Sequence, residues 1–200
     1  VGESPFVVAV DVADVHLLGD LAEEYGDKIN LCIDHHMSNA YFSEKLLLQD
    51  RAAACEIVFK VIKKLGVEID EYIANCLYTG ISTDTGCFRY QNTNAKTFRA
   101  VAELVDIGVN TKMINKVMFE TKSLRRIKIE RMVLNSLQLY YNDKLATLFL
   151  TQDMMKKTGA REDELEGVAA IPREIEGVLI GILFREKPDG SIRVSLRTNE

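Results

Sequence analysis

Nowhere in this sequence does an apolar run approach the roughly 20 residues needed to cross a bilayer, and its opening, Val1-Gly2-Glu3-Ser4-Pro5, carries no signal-peptide pattern. These two absences favour a soluble cytoplasmic protein. An excess of positive charge is missing too: the net charge is −5 and the pI near 5.4, which excludes a strongly basic surface overall. Any nucleic acid partner is therefore expected to be a short ligand rather than a long duplex. The four cysteines, Cys32, Cys55, Cys76 and Cys87, lie far apart and make no C-x-x-C pair. The spacing of zinc and redox motifs is thus lacking, and reduced core thiols are expected. Neither internal repeats nor low-complexity tracts occur. An initiator methionine is absent, and residues 190–200 alternate apolar and polar side chains like a strand cut short. Both ends therefore read as truncated.

What is present is a composition that builds cores. The 200 residues are 47% apolar, enough for one large or two small domains. Residues 6–10 form a short, β-branched-rich apolar run that ends in Asp11, and residues 29–33 form a second that releases Asp34-His35-His36. Between them Val15, Leu17, Leu18, Leu21 and Ala22 recur at helical spacing over 14–25, with Asp14 as N-cap and Gly26 as terminator. Strand, helix, strand is a βαβ unit, so the strands should be parallel with a right-handed crossover. Asp11 and His35 would then leave the sheet at one edge, beyond the carboxyl ends of the strands, where open α/β sheets gather ligands.

Helical patterns follow over 52–65, 71–83 and 94–107, then a shorter one capped by Asn110, and a longer one over 123–139 suited to connecting domains. From Lys144 the pattern changes. Residues 145–150 read as a strand, Thr151 as a helix start, and 178–184 and 191–196 as strands about a Pro188-Asp189-Gly190 turn. The expected fold is α/β: a parallel-sheet domain over 1–122, a connecting helix over 123–142 and a smaller α/β domain over 143–200.

Histidine is scarce, only three residues, and two of them are adjacent at His35 and His36. A further acid, Asp84, stands where the helical pattern of 71–83 breaks into a turn containing Gly86. Asp11, His35 and Asp84 could meet on one rim. Carboxylate oxygens with a neutral imidazole suit manganese, magnesium or iron better than a thiolate site would, and manganese is the first choice. Such a cation polarises a phosphoryl oxygen and lowers the pKa of bound water, while His36 is placed to hydrogen-bond a phosphate. Purely structural roles stand beside these: Asp11 as a helix cap, Asp84 as a turn stabiliser, and 34–36 as a solvated loop. His16, inside the first helix, reads as a surface or packing residue, and Glu56 as a solvated or dipole-compensating charge.

The triplet Asp34-His35-His36, the strand-ending Asp11 and Thr83-Asp84-Thr85-Gly86 closely resemble the DHH phosphoesterases. Within them the likeness is to the short-chain oligoribonuclease and phosphoadenosine-phosphate phosphatase branch. Residues 184–186 and 195–197 resemble, more weakly, the opening of that family's substrate-binding domain. The resemblance implies a two-metal phosphoesterase in which Asp11 bridges the metals, His35 and Asp84 complete one of them, His36 faces the substrate phosphate and Asp34 orients the histidines. It implies that Ser195 and Arg197 grip the far end of the substrate, with Arg89 a weaker candidate for the same task. The family's leading histidine and aspartate pair, and its glycine-rich closing motif, have no counterpart in this sequence.

The expected activity is manganese-dependent or magnesium-dependent hydrolysis of short oligoribonucleotides, dinucleotides or 3′-phosphoadenosine 5′-phosphate. The expected partner is short RNA or a small nucleotide, with no membrane and with a homodimer left open. An inorganic pyrophosphatase is the nearest enzyme alternative, and a nucleotide-binding fragment without catalysis is the alternative from another class.

Overall fold

The structure, a computed structural model, describes residues 5–165 and 167–198. It divides into two compact units between Thr121 and Lys122. In the first, β1 (Val7–Val10) is followed by a 3-10 segment (Val15–Leu21), α1 (Ala22–Tyr25), β2 (Ile29–Asp34) and β3 (Lys45–Leu48). The three strands form a parallel sheet in the order β1-β2-β3. The residues of β2 alternate little because both faces of a parallel strand are covered, and Cys32, Ile33 and Asp34 are all buried.

Helices α2 (Ala54–Lys64), α3 (Glu71–Asp84), α4 (Ala95–Ile107) and α5 (Thr111–Asn115) complete this unit, with a π turn over Lys116–Glu120. Their starts are set by local chemistry. Asp70 accepts from the Ile73 amide, Asn110 from the Met113 amide, and Asn94 and Thr97 make a reciprocal capping box at α4. Ala53, Phe59, Leu77, Tyr78, Ile81 and Leu104 pack into the core that fixes α2, α3 and α4 against one another. Each large apolar side chain sealed there contributes about 1.5–3 kcal/mol.

The second unit holds α6 (Leu124–Leu134), β4 (Gln138–Tyr140), β5 (Leu145–Leu150), α7 (Gln152–Thr158), two 3-10 segments, β6 (Ile180–Glu186) and β7 (Ile192–Thr198). Its sheet runs β4-β5-β6-β7, with β5 and β6 parallel and the outer pairs antiparallel. Ile129 and Val133 of α6 lie in one core with Leu148, Leu150 and Leu183 of the sheet. The molecule is α/β, a parallel sheet followed by a second, mixed sheet. Among the described residues no helix is long and apolar enough to cross a membrane.

Several elements differ from the sequence reading. The helix expected over 14–25 is broken: Gly19 sits at φ 58°, ψ −130°, so a 3-10 segment precedes a single α turn, although Asp14 does accept from the His16 amide as an N-cap. The helix expected to reach 139 stops at Leu134, because 138–140 are drawn into antiparallel pairing with β5 across a turn in which Tyr141, Asn142 and Asp143 all have positive φ. β3 has no counterpart in the sequence expectations, since Lys45-Leu46-Leu47-Leu48 offers neither alternation nor a turn signal. Of the four cysteines only Cys32 is fully buried, and Cys76 is exposed rather than a core thiol.

Candidate metal centre

Three chain segments deliver side chains to one point. Asp11 follows the last residue of β1, and its amide still donates to the Ile33 carbonyl of β2 at 2.9 Å. Its backbone then turns at φ 64°, a left-handed conformation that aspartate tolerates better than most residues. His35 and His36 directly follow β2, and Asp84 is the last residue of α3. The Nε2 of His35 stands 3.2 Å from Asp11 Oδ1 and 3.2 Å from Asp84 Oδ2. Ligand atoms of Asp11, Asp34, His35 and His36 all lie within 4.8 Å of one another.

The ring of His35 has a forced tautomer. Its Nδ1 lies 3.0 Å from the Arg51 carbonyl, and a carbonyl can only accept, so Nδ1 carries the hydrogen and Nε2 presents a lone pair. That Nε2 is buried without a hydrogen bond, yet two carboxylate oxygens face it. The lone pair of the neutral ring and two anions repel unless a proton or a metal cation stands among them. Two donors each about 2.1 Å from one ion, at octahedral right angles, lie about 3 Å apart, close to the separations seen. The donor set of one imidazole and two carboxylates therefore fits a divalent cation.

Asp34 is wholly buried and organises the pair of rings. It accepts from the His35 amide at 2.8 Å, from His36 Nδ1 at 2.8 Å and from Asn39 Nδ2 at 2.7 Å. Burial opposes its charge, but the bonds from Asn39, His36 and the two histidine amides outweigh that and hold its carboxyl below the ordinary value. The same bond with Asp34 raises His36 above its usual value, with burial working the other way. By donating through Nδ1, His36 leaves Nε2 for a ligand, and its side chain is 44% exposed. Asp84 is raised, first by burial, with the charge of Asp11 adding to it.

Residues to which the sequence reading gave no site role hold this arrangement. Asn39 is buried and ties Asp34 to the Val12 carbonyl, at 3.2 Å from the latter. Asn92 donates to the carbonyls of Ala52 and Asp84, joining the start of α2 to the end of α3. Glu56 is 1% exposed and accepts from Thr97 Oγ1 at 2.8 Å, so it braces α2 against α4 and is not a solvated charge. An asparagine gives no periodic signal, and only its proximity to the triplet could have marked Asn39. At Gly80 a Cβ would sit 2.3 Å from the Cys55 sulfur, so only glycine lets α3 approach α2 this closely. Burial, and then the charges of Asp11 and Asp84, push the Cys55 thiol up to about 11.

The remaining sequence candidates stand apart from this cluster in their contacts. Arg89 is exposed, and its Nε donates to the Gly86 carbonyl at 2.7 Å within the turn after α3. Ser195 and Arg197 lie on one face of β7 in the second unit, lining a cavity of about 360 Å³ with Arg185 and Arg193. Glu162 forms an ion pair with Arg185 at its rim. His16 is exposed.

No family model matches the chain. It is 33% identical over 194 residues to the bifunctional oligoribonuclease and PAP phosphatase of Thermus thermophilus, covering 96% of this chain and 56% of that protein. To the protein of the same description from Bacillus subtilis it is 26% identical over 200 residues, covering 98% of this chain and 63% of the relative. The chain thus spans between about half and two thirds of these relatives. A crystal structure of an exopolyphosphatase-related protein from Bacteroides fragilis superposes with a TM-score of 0.89 at 25% identity, over 99% of this chain and 59% of that one. A putative family II inorganic pyrophosphatase of Methanococcus jannaschii shares the fold, with a TM-score of 0.52 at 15% identity, over 96% of this chain and 67% of that one.

Proposed function

We propose, on the premise that the chain belongs to the DHH phosphoesterases as a homologue of the bifunctional oligoribonuclease and PAP phosphatases, that the full-length protein is a metal-dependent phosphoesterase. Its substrates are short oligoribonucleotides, dinucleotides and 3′-phosphoadenosine 5′-phosphate. The observation that carries this is the lone pair of His35 facing the carboxylates of Asp11 and Asp84. These three residues would hold the ion, manganese by preference and one of two in the complete site, with Asp11 shared. A divalent ion there supplies Lewis acidity toward a phosphoryl oxygen and a bound water acidic enough to ionise near neutrality.

The chain's own groups do the rest. His36, raised by Asp34 and open to solvent, donates from Nε2 to a phosphate oxygen and steadies negative charge as it accumulates there. Asp34 keeps both rings in place through its bonds to the His35 amide and His36 Nδ1. In the second unit Ser195 and Arg197 are assigned to the substrate, supported by the arginine-rich cavity that they line. Arg89 is a weaker candidate, its Nε already engaged by Gly86. A cytoplasmic location is proposed on the four unpaired cysteines.

The test is hydrolysis of a diadenylate by the full-length protein with manganese after removal of metals. Cleavage is expected in the wild type and loss of at least 100-fold in His35→Ala. Full activity in that variant would remove the proposal.

A further inference from the structure

In a chain of net charge −5, one groove gathers cations. It lies between α2 and α4, encloses about 510 Å³, and is lined by Arg51, Lys60, Lys63, Lys64, Lys96 and Arg99 against a single acid, Glu103. Lys63 pairs with Glu103, and Lys63 and Lys64 sit in the last turn of α2, where the helix dipole favours a cation. Those two have sufficient local reasons. The other four do not.

Among the described residues, Arg51, Lys60, Lys96 and Arg99 have no carboxylate within ion-pair distance. Lys96 stands in the first turn of α4, the positive end of that helix, where a cation is disfavoured. The guanidinium of Arg51 has Nε and Nη1 buried without a hydrogen bond, a costly condition for a charged group in the absence of an acceptor. Lys60 is depressed by burial and then by Arg51, with Lys96 and Lys64 adding to it and Glu56 opposing. Like charges held together, with buried donors unmatched, describe a surface whose counter-charge comes from outside.

We propose that the groove between α2 and α4 is an anion site in its own right, taking closely spaced phosphate groups. Its position gives the ligand a direction. Arg51, at its head, is the residue whose carbonyl anchors His35 at 3.0 Å, and α2 runs on from there for about 15 Å at 1.5 Å per residue. A phosphate chain along α2 would thus start beside the metal centre and lead away from it. The phosphates come either from the backbone of an oligoribonucleotide or from a free compound such as pyrophosphate. The inference goes beyond the hydrolase reading and stands on charge and geometry alone.

Binding to the full-length protein in excess chelator, where no metal-dependent hydrolysis can occur, tests it. Labelled pentaadenylate is titrated by fluorescence anisotropy and pyrophosphate by calorimetry. The variant is Lys60→Ala/Lys96→Ala, and the control with equal charge loss is Lys28→Ala/Lys112→Ala, both exposed lysines. The groove variant is expected to weaken pentaadenylate about tenfold and to reduce the slope of log affinity against log salt by about 1.4, two contacts at about 0.7 each. Loss confined to pentaadenylate assigns the groove to an oligonucleotide backbone; loss of pyrophosphate affinity as well assigns it to free phosphate compounds. Equal behaviour of groove variant and control in both titrations overturns the proposal. Because chelator is present throughout, that outcome leaves the metal-centre reading untouched.

Discussion

The Nδ1–H of His35 donates to the main-chain carbonyl of Arg51 at 3.0 Å, and this one bond decides which ring nitrogen meets the two aspartates. A backbone acceptor cannot be protonated or swapped by mutation, so the tautomer is as durable as the fold.

Metal should therefore bind the folded state and stabilise it. Adding manganese to chelator-treated protein is expected to raise the melting temperature, with about 2.7 kcal/mol gained at a hundredfold excess over Kd. In His35→Ala the rise should vanish. Thermal scans with and without metal decide this, and an undiminished shift in the variant would contradict the ligand assignment.

Asp11 lends itself to a pair of substitutions that separate backbone from charge. At φ 64° an asparagine fits about as well as aspartate, whereas alanine meets the left-handed penalty of about 1–2 kcal/mol. Asp11→Ala should melt below Asp11→Asn, while both bind manganese weakly. Equal melting temperatures would show that the left-handed turn carries no cost here.

Gly80 governs how near α3 comes to α2. Gly80→Ala places a methyl 2.3 Å from the Cys55 sulfur, an overpacking expected to cost about 1–3 kcal/mol. Cys55→Ala in the same chain should recover part of that loss. A denaturant double-mutant cycle reads the coupling, and strict additivity would refute the close approach.

Acid and alkali should act on the centre through different residues. Asp34 is lowered, so its support is present above about pH 4 and lost as pH falls through its depressed value; His36 is raised, so its support is full below about pH 6.5 and lost as pH rises through its elevated value. In chelator, His36→Gln should abolish the alkaline decline and keep the acid one. Urea midpoints between about pH 3 and 9 measure both limbs, and an alkaline decline that persists in the variant would sink the argument.

Much of the first unit was legible because its signals are local. Asn110 announces its helix, and apolar runs ending in Asp11 and Asp34 mark strands whose parallel pairing follows from the crossover connection between them. What stayed hidden depends on long-range packing. The strand at Lys45–Leu48 gains its identity only from pairing with β2. The stop at Leu134 follows from β4 being claimed by β5. Asn39, Asn92 and buried Glu56 act through partners that are distant or aperiodic in sequence. The left-handed run Gly86, Cys87, Phe88, at φ 55°, 57° and 64°, is unreadable beforehand for the last two residue types.

Asp84 closes α3 on the same face as Leu77 and Ile81, seven and three residues before it, which lock that helix into the hydrophobic interior. Its carboxylate thus works like the tip of a lever whose fulcrum is interior packing. A slip of about 1 Å at such a tip is enough to cost about a hundredfold in rate. Warming or enlarging a distant interior side chain should consequently silence the protein while its circular dichroism is still native, so that function fails at a lower temperature than form.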